Sequence, residues 1–346
     1  MNKRLSELKK YIINNNLDSL VITDPKNIRY ISSFTGEGYL VISPDENILV
    51  TDFRYIIQAK EQTKEFEVTD VASLNPKERF SLFQKTGYED FSVSYAKYRE
   101  LGGYFKNLIP IGDTLLGMRA VKDESELCAI RRAQGIADKA YTHILEYIKP
   151  DVSERDIALE TEFFMRKNGA TAVSFDTIVA PGVHGAMPHA EPDGRKIQKG
   201  DFVVLDFGCT VDGYCSDMTR TVCVGKATEE MKRVYNTVLK AQRESLDMIR
   251  EGAIPSEIHL NAQRIIDEFY PGTFGHGLGH GVGLDIHESP NLSPRNSKPL
   301  KNGNVITVEP GIYIEGFCGV RIEDLVVVNG EKCENFTFSD KKLTEI

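Results

Sequence analysis

KGDFVVLDFG, residues Lys199 to Gly208, and NGNVITVEPG, residues Asn302 to Gly311, align without a gap at a constant offset of 103 residues. Each is a polar turn followed by a short apolar run that ends in an acid, Asp206 or Glu309, and a glycine. The match continues upstream: Ser153-Glu154 and Ser256-Glu257 each open a helix-like segment, and each serine stands 53 residues before its acid (206 − 153 and 309 − 256). A repeat of this length marks two similar α/β halves facing each other across a pseudo-two-fold axis, with one acid from each half at the centre. Turns, buried strands and terminal glycines recur by chance. Matched acids at a matched offset do so far less often.

Before the repeat, the chain alternates helix-like and strand-like segments. Leu5, Leu8 and Ile12 recur at helical spacing and predict an amphipathic helix to about Asn16. Strands are expected at Ser19 to Thr23, Tyr39 to Ser43 and Asn47 to Thr51, with helices around Phe53 to Gln62 and Tyr98 to Leu108. This describes a small α/β domain over residues 1–117. From residue 118 to 346 a second domain follows, opened by acids at Asp123 to Glu126 ahead of an amphipathic run to Ile148. The chain is long enough for two cores.

A net charge of −9 and a pI near 5.4 argue against nucleic acid or an anionic membrane as main partner. No apolar run approaches the ~20 residues of a membrane span, and the charged start lacks a signal-peptide core. The six cysteines show neither a C-x-x-C pair nor zinc-ribbon spacing. They read as reduced, buried thiols of a cytoplasmic protein.

The strongest local argument concerns Asp206 and Asp217. Asp212-Gly213 supplies the positive φ angles of a two-residue hairpin turn, which pairs Val211 with Tyr214. Cross-strand partners then sum to 425, and Asp206 and Asp217 become diagonal neighbours on one face, about 7–8 Å apart at the backbone. Two carboxylates beside the apolar run Val203 to Leu205 repel and desolvate unless a cation lies between them. The plain alternative is a pair of partly solvated acids, one paired with Arg220.

HGLGHGVGLDIHE, His276 to Glu288, holds three of the seven histidines, and its glycines at 275, 277, 279, 281 and 283 suit close backbone approach around imidazoles. The stretch is neither H-E-x-x-H, since Gly277 follows His276, nor a phosphate loop. A flexible surface loop would seldom intersperse Leu278, Val282, Leu284 and Ile286 so regularly. VEPGIY, Val308 to Tyr313, and GVRIED, Gly319 to Asp324, place Glu309 and Glu323 together if Glu315 to Phe317 forms a three-residue loop. Glu323 paired simply with Arg321 is the alternative. Four carboxylates and one imidazole suit Mn, Co, Fe or Zn over Ca and Mg. Two dications balance four carboxylates, which is the charge logic of a dinuclear site that acidifies a bridging water into a hydroxide nucleophile.

These residues resemble the aminopeptidase P and prolidase family, whose pita-bread catalytic fold is shared with methionine aminopeptidase and creatinase. The resemblance runs through NIRYISSFTG (Asn27 to Gly36), TDFRY (Thr51 to Tyr55), SFDTIVAPG (Ser174 to Gly182), PHAEP (Pro188 to Pro192), YCSDMTRT (Tyr214 to Thr221) and the motifs above. It implies a creatinase-like N-terminal domain and a pita-bread metallopeptidase domain. It implies that Asp206 holds one metal, that His280 and Glu309 hold the other, and that Asp217 and Glu323 bridge them, with Mn the first choice and Co or Zn alternatives. It further implies that His189 and His287 hydrogen-bond substrate or transition state, that His276 lines the proline side of the cleft, that Glu309 carries a proton, and that Arg321 supports the acids. His143 and His259 read as structural or exposed, and His184 has no assigned role.

The implied substrate is a peptide with proline at its second position, and the implied assembly a homodimer. Proline lacks an N–H, so the bond before it needs a site shaped for the ring. Many prolidases carry Arg where this chain has Gly277, which tilts the expectation toward an aminopeptidase releasing the first residue of longer Xaa-Pro peptides, with the Xaa-Pro dipeptidase as alternative. Methionine aminopeptidase fits the N-terminal domain poorly, and creatinase works without this metal set. A non-catalytic pita-bread binding protein is the reading of another class, set against the presence of all five ligand positions.

Overall fold

The computed structural model describes residues 3–346, which form two compact units, one ending at Arg119 and one spanning Ala120–Ile346. In the first, a mixed six-stranded sheet runs in the order Glu67–Asp70, Asn47–Thr51, Tyr39–Ile42, Ser19–Ile22, Thr86–Tyr88, Leu108–Pro110. Helix Lys3–Asn14 buries Leu5, Leu8 and Ile12, the stripe its spacing predicts.

Two local expectations need correction. The helix expected over Tyr98 to Leu108 spans Tyr95–Leu101, and Leu108–Pro110 is instead the edge strand, parallel to Thr86–Tyr88. The helix expected from Phe53 starts at Ile56. An unexpected helix, Pro25–Ser32, lies inside the NIRYISSFTG region. Its start was readable: Asp24 accepts hydrogen bonds from the Lys26 and Asn27 amides, and Pro25 occupies the first turn, where a missing N–H does no harm.

The second unit carries the repeat. Helix Glu124–Tyr147 opens with a capping box in which Asp123 and Glu126 each accept the other's amide. It packs on helix Glu154–Lys167 above a four-stranded sheet ordered Thr344–Glu345, Met218–Cys223, Phe202–Phe207, Ile178–Pro181. Helices Glu229–Met248 and Pro255–Asp267 pack likewise over a five-stranded sheet ordered Glu288–Leu292, Gly279–Gly281, Val305–Val308, Asp324–Asn329, Lys332–Asn335. Strands Phe202–Phe207 and Val305–Val308 correspond at the 103-residue offset, and each half has its own apolar core. The fold is the α/β architecture with internal repeat that the sequence leads one to expect.

Hairpin registers aim the acids. Asp212 and Gly213 have φ of 48° and 77°, the two positive angles of the expected turn. Val211 pairs with Tyr214, Met218 with Phe207 and Thr219 with Asp206, so the register holds into the second ladder. In the other half, Gly311 pairs with Arg321 and Ile314 with Cys318 around the loop Glu315 to Phe317, while Val308 pairs with Asp324. Glu309 and Glu323 lie opposite each other between those two ladders. The tail closes the back of this region, with Thr344–Glu345 pairing in parallel with Met218–Cys223 and Ile346 bonded to the backbone of Cys223 and Gly225.

Candidate metal centre and active site

Asp206, Asp217, Glu309, Glu323 and His280 converge on one cavity of ≈ 490 Å³. Phe175, Ile178, Pro188, His189, His276, Ile286, His287 and Arg321 also line it. His280 Nε2 lies 3.5 Å from Asp217 Oδ2 and 3.3 Å from Glu309 Oε1. Ligand atoms of Asp217, His280 and Glu323 all lie within 4.8 Å of one another, a spacing that a cation can bridge. The halves are joined at this point by the Glu323 amide, which donates to Thr219 O, while within the second half the Glu309 amide donates to Leu278 O.

Two threonines steady the acids. Thr219 Oγ1 donates to Glu323 Oε2 at 2.7 Å, and Thr307 Oγ1 donates to Glu309 Oε1 at 3.1 Å while accepting from the His280 amide. His280 Nδ1 is 3.1 Å from Gly281 O, which leaves Nε2 as the free donor atom toward the acids. Gly279 packs against the Thr307 carbonyl and Gly281 against Ser289 with no space for a Cβ, so here the glycines do permit close approach. Gly275 has open space around its Cβ position, so its glycine answers no such need.

The electrostatics are those of an acid cluster short of cations. Burial first, and then Glu323, Asp206 and Glu309, push the Asp217 carboxyl well above the usual range. Burial, Glu309 and Asp206 do the same to Glu323, and burial raises Glu309 to about 7 against the opposing pull of Arg321. Burial lowers His280, keeping it neutral and able to donate a lone pair. Asp206 Oδ1 and Glu323 Oε1 are buried without a hydrogen-bond partner. Orphaned carboxylate oxygens, mutually repelling acids and a neutral imidazole form a donor set that fits divalent cations.

Arg321 is the one Lys or Arg among the described residues lining the cavity. It pairs with Asp206 rather than Glu323, through Nη2 at 2.5 Å, and also donates to Thr219 Oγ1, Tyr313 Oη and Pro188 O. Arg220 does not reach Asp206 or Asp217. It is fully buried and pairs with Asp324 at 2.8 Å behind the site. His276 Nε2 lies 2.8 Å from the Tyr313 hydroxyl, and burial pushes its pKa down to about 4. His287 meets His280 edge-on at 4.3 Å between ring centroids, and His189, itself exposed, lines the cavity from the stretch Pro188 to Pro192. Tyr313 and the two threonines escaped the sequence reading, although each lies within a quoted motif: Tyr313 in VEPGIY, Thr219 in YCSDMTRT and Thr307 in NGNVITVEPG.

His143 pairs with Glu160 and stacks on Phe164, and buried His259 accepts the Leu278 amide, so both are structural. All six cysteines are free; Cys128 is exposed and Cys333 half-buried, contrary to the expectation that all would be buried. No described helix is long and apolar enough to cross a membrane.

Residues 128–330 match the model of metallopeptidase family M24, and residues 4–121 match the creatinase/prolidase N-terminal domain. The chain belongs to metallopeptidase family M24. It is 36% identical to the Xaa-Pro dipeptidase of Pyrococcus furiosus, over 99% of this chain and all of that one. Among solved structures, the Xaa-Pro dipeptidase of Bacillus anthracis shares 39% identity with a TM-score of 0.96, covering 99% of each chain. The X-Pro aminopeptidase of Thermotoga maritima shares 35% with a TM-score of 0.93, covering 99% of this chain and all of that one. This M24 chain is accordingly a metallopeptidase with a creatinase-like N-terminal domain and the pita-bread catalytic fold of its relatives.

Proposed function

We propose that this M24 metallopeptidase hydrolyses the bond between a peptide's first residue and a proline in second position, using two divalent cations, with Mn the first choice and Co or Zn alternatives. Convergence of four carboxylates, three of them buried and Glu309 half-buried, and one neutral imidazole on a single cavity carries the reading. Asp206 would hold one ion, His280 and Glu309 the other, with Asp217 and Glu323 shared between them. The ions, when bound, supply the positive charge that acidifies water and polarises the scissile carbonyl.

The protein's own groups do the rest. Arg321 holds Asp206 in place and ties Tyr313 and Pro188 to the acid cluster. Glu309 lines the cavity beside His280 and, by the family resemblance, would carry a proton between attacking water and leaving nitrogen. His189 and His287, which both line the cavity, would offer imidazole nitrogens to substrate and transition state. His276, buried and neutral against Phe274 and Tyr313, forms an uncharged wall suited to a proline ring.

Arg321 is already engaged by Asp206, Thr219, Tyr313 and Pro188, which leaves no lining Lys or Arg for the free carboxylate of a dipeptide. This favours longer Xaa-Pro-Yaa peptides. The Xaa-Pro dipeptidase reading is the second, supported by the similarity to the Xaa-Pro dipeptidases of Pyrococcus furiosus and Bacillus anthracis. Purified protein assayed with both peptide classes, after separate loading with Mn, Co and Zn, decides between them. Turnover of dipeptides alone overturns the aminopeptidase preference, and turnover of neither class with any metal overturns the function. Free thiols at all six cysteines support residence in a reducing compartment such as the cytoplasm, and the family resemblance supports a homodimer, checked by the solution mass.

A further inference from the structure

Glu154 is buried at the start of helix Glu154–Lys167, away from the acid cluster. Its Oε1 lies 2.8 Å from His184 Nδ1, and its Oε2 accepts the Asp193 amide at 3.0 Å. Those partners are the two feet of one loop. Between them run Pro188, His189, Ala190, Glu191 and Pro192, five consecutive residues that all line the cavity.

The same helix end secures the loop further. The Glu154 amide donates to Arg195 O and the Arg155 amide to Asp193 O, so backbone donors left unpaired by the helix are spent on this segment. Ser153 and Lys196 add a β-bridge. Near the first foot, Gly185 packs so closely on Gly319 that neither position has room for a Cβ, and in the middle Pro188 O accepts from Arg321. Ligand atoms of Glu154, His184 and Asp193 lie within 4.8 Å of one another. Both Glu154 oxygens are nevertheless occupied by hydrogen bonds, which makes the cluster a fastening.

We propose that Glu154 and His184 act as a clamp that positions the cleft wall Pro188 to Pro192, and with it His189, for catalysis. The clamp rests on the cleft being the Xaa-Pro site described above. Neither residue touches the cavity, so both are positioning residues, and their effect reaches substrate through His189. A displacement of about 1 Å in a catalytic group can lower turnover by up to about a hundredfold.

The test compares wild type with His184→Ala, His184→Asn and Glu154→Gln, each loaded with Mn, by Xaa-Pro-Yaa and Xaa-Pro kinetics, metal content, and hydrogen exchange of the loop amides. His184 is partly exposed, so its truncation leaves the core intact. The expected result for His184→Ala is a fall in kcat of about ten- to a hundredfold with KM changed by less than about threefold, unchanged metal content, and faster exchange over residues 187–193. Glu154→Gln can still accept the Asp193 amide and donate to His184 Nδ1, and His184→Asn can still donate to Glu154, so each is expected to recover most of the lost kcat.

Unchanged kcat in His184→Ala overturns the clamp. So does a loss accompanied by metal depletion, or one shared equally by the two conservative variants. Should wild type cleave neither peptide class, the functional reading fails separately, and exchange decides the clamp: faster exchange in His184→Ala supports it and equal exchange refutes it.

Discussion

Replacing Arg220 with methionine tests the polar layer behind the acid cluster. Arg220 is fully buried and donates to Asp324 Oδ1, to the Glu323, Thr219 and Ser339 carbonyls and, through Nε, to Asp340 O. Breaking a buried pair by removing one partner costs about 3–5 kcal/mol, because the remaining charge stays desolvated. Asp324 keeps Lys341, Gln242 and Asn335, which places the expected loss near the lower end, about 3 kcal/mol. For a unit of this size that is a fall in Tm of about 6–12 °C. The metal-free protein is the right sample, since bound ions would add their own stabilisation to wild type. Metal affinity should weaken as well, because Arg220 holds the backbone carbonyl of Glu323. A metal-free Tm within about 2 °C of wild type would refute the reasoning, showing that water or a shifted tail replaces the guanidinium without loss.

Asp217→Ala is expected to lose bound metal and at least about a hundredfold in turnover, and an unchanged rate removes Asp217 from the centre. His276 supplies a pH dependence: with its folded pKa depressed to about 4, the unfolded chain takes up a proton below about 6.5 that the folded chain refuses, so its contribution is complete above about 6.5 and falls with acidification down to about 4. Metal-free wild type should therefore lose about 2 kcal/mol more than His276→Phe between pH 7 and pH 5 in denaturant titrations, and parallel losses would contradict the assignment. Gly279→Ala forces a methyl into the Thr307 carbonyl and should lower both Tm and metal content, whereas Gly275→Ala enters open space and should leave both within error. Equal behaviour of the two variants in thermal melts and metal analysis would discard the close-approach argument.

What the sequence disclosed was local or periodic. Asp212-Gly213 set a register that persists to Phe202 and Cys223, and the 103-residue offset located both acid-bearing strands before any contact was known. Asp206 and Glu309 were readable as the ends of apolar runs and Asp217 from the hairpin register, while His280 stood out in its Gly/His stretch and Glu323 through GVRIED. Long-range pairing was not readable. Nothing near Arg220 or Arg321 in the chain distinguishes their partners, Asp324 and Asp206, both more than a hundred residues away. The Leu108–Pro110 strand was missed because its pairing depends on sheet order, which short-range periodicity does not encode. Glu154 and His184 each looked ordinary alone. Their meaning comes from a fold that sets a helix start against both feet of a loop.

The tail is a stopper for the layer beneath the acids. Ser339 and Asp340 offer carbonyls to Arg220, Lys341 reaches Asp324, and Ile346 is stitched to Cys223 and Gly225. Pulling that plug would let water reach Asp324 from the far side, one peptide unit from Glu323. Changes within the tail therefore reach the acid cluster through its floor, without touching any residue that lines the cleft.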